Sequence, residues 1–143
     1  NVSASQLGVI PTGNGRRESY KRKAYTRMTN TFFEPGKDKL EDMIASVKHG
    51  YMLFETNNGM EDPKNWQIQC TAEYGIEIID GKLTDNYVSP VVISGSVPEL
   101  LKSITMVSDG KEIIGAGMCG KGYKEWVRVT DGGPALKVRA KLA

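Results

Sequence analysis

The stretch Trp66-Gln-Ile-Gln-Cys-Thr-Ala-Glu-Tyr-Gly-Ile-Glu-Ile-Ile-Asp-Gly-Lys-Leu-Thr-Asp-Asn-Tyr-Val-Ser-Pro-Val-Val-Ile-Ser94 decides the fold class. Trp66–Ile79 alternates apolar and polar residues well enough to form one long strand or two, with Gly75 as a candidate bulge. Asp80-Gly81 is a two-residue hairpin signal, because both residues tolerate the positive φ that such a turn requires. A partner strand around Lys82–Ser94 follows. The stretch therefore predicts antiparallel β structure.

Upstream, residues 38–49 read as a helix. Asp38 and Glu41 have capping-box spacing, Leu40, Met43, Ile44 and Val47 fall on one face, and Gly50 stands where helices commonly stop. Tyr51–Glu55 then reads as a short strand, and Asn57-Asn-Gly59 as a turn. Downstream, Ser96-Val-Pro-Glu99 is a second capping box, opening a short helix through Leu100, Leu101 and Ile104. The remainder predicts strands at 112–119, 124–130 and 135–142, with Gly132-Gly-Pro134 turning the chain between the last two. Residues 1–36 show no sustained period; Pro11-Thr-Gly-Asn-Gly15 is turn chemistry, and Met28–Phe33 reads as extended until Glu34-Pro-Gly36. The expected fold is α+β, a mostly antiparallel β-sheet with two short helices, in a single domain over 1–143.

Composition bounds the function. The chain has 143 residues, 39% hydrophobic and 25% charged, with a formal net charge of +2. No apolar run approaches the ~20 residues of a membrane helix, so no membrane association is expected. Two cysteines, Cys70 and Cys119, do not make a disulfide framework. Reduced thiols in a cytoplasmic protein are the expectation. Charge is uneven: Arg16–Arg27 holds six basic residues against one acid, and the rest of the chain has 13 basic against 16 acidic. That basic arm, with Tyr20 and Tyr25, suits either a phosphate backbone with stacked bases or a solvated edge strand.

The candidate sites are few. His49 is the one histidine and lies near the end of the expected first helix, where the helix dipole favours an imidazolium. No ligand stands at metal spacing from it, and nothing in the sequence brings it to Cys119 as a nucleophile–base pair. Cys70 lies in an alternating strand and reads as a small core residue. Cys119 is different, since Gly115-Ala-Gly-Met-Cys-Gly-Lys-Gly-Tyr-Lys124 surrounds it with four glycines. The stretch lacks the lysine spacing of a phosphate loop. Glycine at that density marks tight turns or a close approach of backbone to something else.

Several segments resemble one known family in order. They are Pro11-Thr-Gly-Asn-Gly-Arg-Arg-Glu-Ser-Tyr20, Arg27-Met-Thr-Asn-Thr31, Glu34-Pro-Gly36, Asp80-Gly-Lys82, Val91-Val-Ile-Ser-Gly95, Met106-Val-Ser108, Met118-Cys-Gly-Lys121 and Gly132-Gly-Pro-Ala-Leu-Lys-Val138. Together they resemble the C-terminal domain of the TldD/PmbA family, first described as modulators of DNA gyrase and now understood as metallopeptidases. The resemblance implies an N-terminal domain with a His-Glu-x-x-x-His helix, whose histidines bind zinc and whose glutamate acts as general base. It implies that Cys119, in the Cys-Gly-Lys segment, is the third protein ligand to zinc. A His₂Cys set leaves the fourth zinc position open for water, as a catalytic site requires.

No His-Glu-x-x-x-His occurs in these 143 residues. The chain is then expected to be a fragment or a stand-alone domain, without catalytic residues of its own and inactive by itself. The resemblance further implies unfolded peptide substrates, and a homo- or heterodimer in which subunits without the histidine pair also occur. It places Arg27, Thr29 and Asn30 near the substrate groove. Residues 55–70 depart from the family's commoner Gly-Gly-Gln-Val-Asp pattern, which leaves the substrate preference open. The alternative function is a non-enzymatic binding or assembly module whose basic arm contacts nucleic acid or a partner protein; within the family reading, nucleic acid is not an expected partner.

Overall fold

Asp80 and Gly81 hold φ angles of 46° and 77°, the left-handed pair of a type I′ hairpin turn. The computed structural model that shows this describes residues 2–114, 117–122 and 124–143. The chain divides into two compact units, Asn1–Glu34 with Lys111–Gly133, and Pro35–Gly110 with Pro134–Ala143.

In chain order, the first unit opens with helix α1 (Val2–Leu7) and the short strands β1 (Gly15–Arg16) and β2 (Tyr25–Thr26). The second unit then takes α2 (Leu40–Ala45), β3 (His49–Asp62), β4 (Gln67–Ile79), β5 (Lys82–Val88), β6 (Val91–Ser96), α3 (Val97–Lys102) and β7 (Met106–Val107). The chain returns to the first unit for β8 (Glu112–Ile114), β9 (Met118–Lys121), β10 (Lys124–Arg128) and β11 (Asp131–Gly133). It ends in the second with β12 (Leu136–Lys137) and β13 (Lys141–Leu142). This is the expected α+β class, mostly antiparallel β. Helix α1 was not foreseen, having no apolar period and no buried residue.

The second unit is built on the β3–β4 ribbon, which pairs from His49↔Ile79 to Asp62↔Gln67 with one register shift on the way. The other edge of β4 is shared: β6 pairs with residues 67–72, and β5 with residues 75–79. Ala72 and Ile78 lie on one face of β4 at period two and are buried with Val91 and Met43. Gly81 approaches α2 so closely that a Cβ would stand 2.6 Å from the Ala45 carbonyl oxygen. The partner strand expected over 82–94 is interrupted at Ser89-Pro90, since proline has no amide to give a ladder. Asn57-Asn-Gly59 is not a turn: β3 runs through it with a register shift between Asn57 and Met60, and the chain reverses later, over 63–66. Gly75 pairs regularly with Leu53, and the irregularity falls between Ile76 and Ile78 on the β5 side.

Helix α2 is shorter than expected, and its capping box is absent. The Asp38 carboxylate accepts the Val107 amide at 2.8 Å, and its main chain bridges to Ser108, so Lys39 becomes the N-cap residue without a side-chain cap. Ser46 ends the helix, its hydroxyl donating to the Met43 carbonyl at 2.6 Å. His49 therefore opens β3 instead of closing a helix, and its imidazole faces Glu77 at 3.3 Å. Ser96 is the N-cap of α3 with Pro98 in the first turn, again without a side-chain cap bond.

In the first unit, β1 pairs with β2, β9 with β10 and β8 with β11. Met28–Phe33 belongs to no strand. Gly132 and Gly133 pair with β8 instead of turning the chain. The strand expected over 112–119 is seen as β8 and the start of β9, with 115 and 116 outside the described residues.

Candidate metal-ligand loop

Cys119 lies in β9 opposite Val127 of β10, and both are buried, at 4% and 5% exposure. The β9–β10 ladder is irregular. Lys124 pairs with Lys121, yet the next pairs are Val127 with Cys119 and Arg128 with Met118. Residues 125 and 126 form a bulge opposite Gly120. At Gly120 a Cβ would come within 2.8 Å of the Trp126 ring, which explains a glycine beside the thiol.

The segment Thr26–Met28 is fastened to β9. The Lys121 ammonium donates to the Thr26 carbonyl at 2.7 Å. The Arg27 guanidinium donates to the Cys119 carbonyl, and through the same Nη2 to the Glu125 carbonyl at 2.6 Å. The Met28 amide lies 3.4 Å from the Cys119 sulfur and donates to it. Asn14 holds Arg27 in turn: its carbonyl accepts the Arg27 amide at 2.8 Å, and its side-chain amide donates to the Arg27 carbonyl at 3.1 Å.

Among the residues expected in a substrate groove, Arg27 is buried at 3% exposure and its guanidinium is engaged with main-chain carbonyls. Thr29 is half-buried and Asn30 exposed. The Asn30 Oδ1 accepts the Thr130 amide at 2.8 Å. Asn30 also lines a recess of about 60 Å³ with Phe32, Lys111, Thr130, Asp131 and Gly132, where the Lys111 ammonium stands 4.0 Å over the Phe32 ring. Sequence reasoning did not anticipate Asn14, Lys111 or the buried role of Arg27. Asn14 had only its place in a turn motif as a signal.

Both cysteines are free. Burial pushes the Cys70 thiol above its ordinary pKa, as befits a half-buried residue within a sheet. No group of three or more His, Cys, Asp or Glu side chains able to hold a metal occurs among the described residues. A free thiol is a suitable donor for zinc, and Cys119 is one such group. An amide directed at its sulfur suits a ligand whose orientation must be held. His49 lies in the other unit, and its imidazole faces Glu77 at 3.3 Å. The basic arm is partly engaged within its own unit. Arg16 donates to the Met28 and Arg128 carbonyls at 2.7 and 2.6 Å, and Arg22 pairs with Glu125 at 3.2 Å.

Residues 1–141 match the PmbA/TldA metallopeptidase C-terminal domain. The chain is 38% identical over 138 residues to the metalloprotease TldD homolog of Haemophilus influenzae, covering 96% of this chain and 28% of the relative. It is 31% identical over 137 residues to the zinc metalloprotease TldD homolog of Saccharolobus solfataricus, covering 95% and 30%. Among solved structures, TldE from Thermococcus kodakarensis superposes with a TM-score of 0.69 at 26% identity, covering all of this chain and 30% of that one. The chain spans less than a third of the length of these relatives.

Proposed function

The chain belongs to the PmbA/TldA metallopeptidase family as its C-terminal domain, and from that premise we propose that it supplies one zinc ligand and part of the substrate cleft of a peptidase acting on unfolded peptides. Cys119 is the ligand. The remaining donors come from polypeptide outside this chain; among the described residues no group of three or more His, Cys, Asp or Glu side chains stands ready to hold a metal. The observation that carries the reading is the Met28 amide directed at the Cys119 sulfur, inside the segment that bears the family's Cys-Gly-Lys. Zinc, when bound, supplies a Lewis acid and an acidified water.

The residues of this chain hold and orient. Cys119 holds its sulfur on strand β9, where Arg27 braces the main chain. Thr29 and Asn30 lie on the same braced segment, alongside which an extended peptide docks by main-chain hydrogen bonds. The recess between Phe32 and Lys111 takes a substrate side chain. The working form is a cytoplasmic homo- or heterodimer with another family subunit. Arg16 and Arg22 of the basic arm are engaged inside the first unit, which weighs against a nucleic-acid role.

Metal analysis tests the reading in the complete polypeptide. Cys119→Ala is expected to lose bound zinc and peptide turnover together, because a histidine pair alone binds the metal weakly. Zinc at full occupancy in that variant would overturn the assignment.

A further inference from the structure

We infer that Arg27 is the positioning residue for Cys119, holding the thiol in the orientation a metal requires. The inference rests on the reading of Cys119 as a metal ligand. Two consecutive residues fix the cysteine at both ends: the Arg27 guanidinium takes its carbonyl, and the Met28 amide takes its sulfur. The same Nη2 also takes the carbonyl of Glu125, which lies in the β9–β10 bulge. A bulge leaves ladder groups without their strand partners and loosens the register around them. Arg27 supplies donors from outside the ladder and ties the two strands at that point.

The guanidinium is not placed for its own benefit. It is buried at 3% exposure and, among the described residues, forms no ion pair with a carboxylate and leaves its Nε without a hydrogen-bond partner. A buried cation with an unsatisfied donor is costly to fold around. Its position follows the two carbonyls. Asn14 fixes the arginine's own main chain on both its amide and carbonyl sides. The line of support runs from Asn14 through Arg27 to Cys119.

The test uses the complete polypeptide loaded with cobalt(II), whose thiolate-to-metal charge-transfer band reports the sulfur directly, and with zinc for affinity. Arg27→Met is expected to weaken or shift the band and to lower zinc affinity about tenfold or more, as loss of an orienting partner does. The circular dichroism of the metal-free protein should stay as in wild type. Arg27→Lys, which keeps a buried cation and a donor, should restore part of the affinity. An unchanged band and unchanged zinc affinity in Arg27→Met overturn the inference. Should Arg27→Met fail to fold, Arg27→Lys decides, since its shorter reach must bind zinc more weakly than wild type; equal affinity overturns the inference. Cys119→Ala separates the two claims. If that variant keeps the band, the ligand reading falls; if it loses the band while Arg27→Met keeps it, only the positioning role falls.

Discussion

Gly81 sits at φ 77°, with the Ala45 carbonyl oxygen 2.6 Å from where a Cβ would be. Neither fault can be relieved by rotating a side chain. Gly81→Ala should therefore cost about 1–3 kcal/mol, read as a lower midpoint in urea unfolding. The Asn30 side chain accepts the Thr130 amide and borders the recess. Asn30→Ala is expected to lower peptide turnover in the complete polypeptide with zinc content unchanged. Turnover equal to wild type would remove it from the cleft. Glu77 makes a pH prediction. The Asn86 amide at 2.8 Å, and after it His49, hold its carboxyl below the ordinary glutamate range. A depressed pKa contributes stability that is present above the unfolded value, about 4.3, and disappears as pH falls through the folded one. Glu77→Gln should therefore flatten the fall in urea midpoint below about pH 4.3. A parallel pH profile in the two proteins would contradict it.

Among elements, the β3–β4 ribbon organises the second unit, and Ala72 at 0% exposure is its most enclosed side chain. Ala72→Leu should destabilise by about 1–3 kcal/mol through overpacking, with a lower thermal midpoint as the measure. The Asp80-Gly81 hairpin and the strand over Gln67–Ile79 were legible in the sequence because their causes are local: a turn dipeptide and a period of two. The Asp38 cap was misread because its competitor is distant, the Val107 amide 69 positions along the chain. The Asn57-Asn-Gly59 bulge was misread for a related reason. Turn residues also serve bulges, and the choice depends on the partner strand. Arg27 was the hardest to place. Arginine is ordinarily exposed, and this one belongs to a basic run, so only the irregular β9–β10 ladder reveals why it is buried. Cys119 stood out by its glycine setting, whereas the role proposed for it came from family resemblance alone.

At the scale of the whole molecule, the central claim is that this chain completes a metal site it does not contain. The isolated 143 residues should accordingly show no peptidase activity, with or without added zinc, in an unfolded-peptide assay. X-ray absorption at the zinc edge of the complete polypeptide tests the claim most directly. A single sulfur scatterer at about 2.3 Å is predicted beside nitrogen and oxygen donors, and it should vanish in Cys119→Ala. A wild-type shell of nitrogen and oxygen alone, or a sulfur that persists in the variant, would contradict the account.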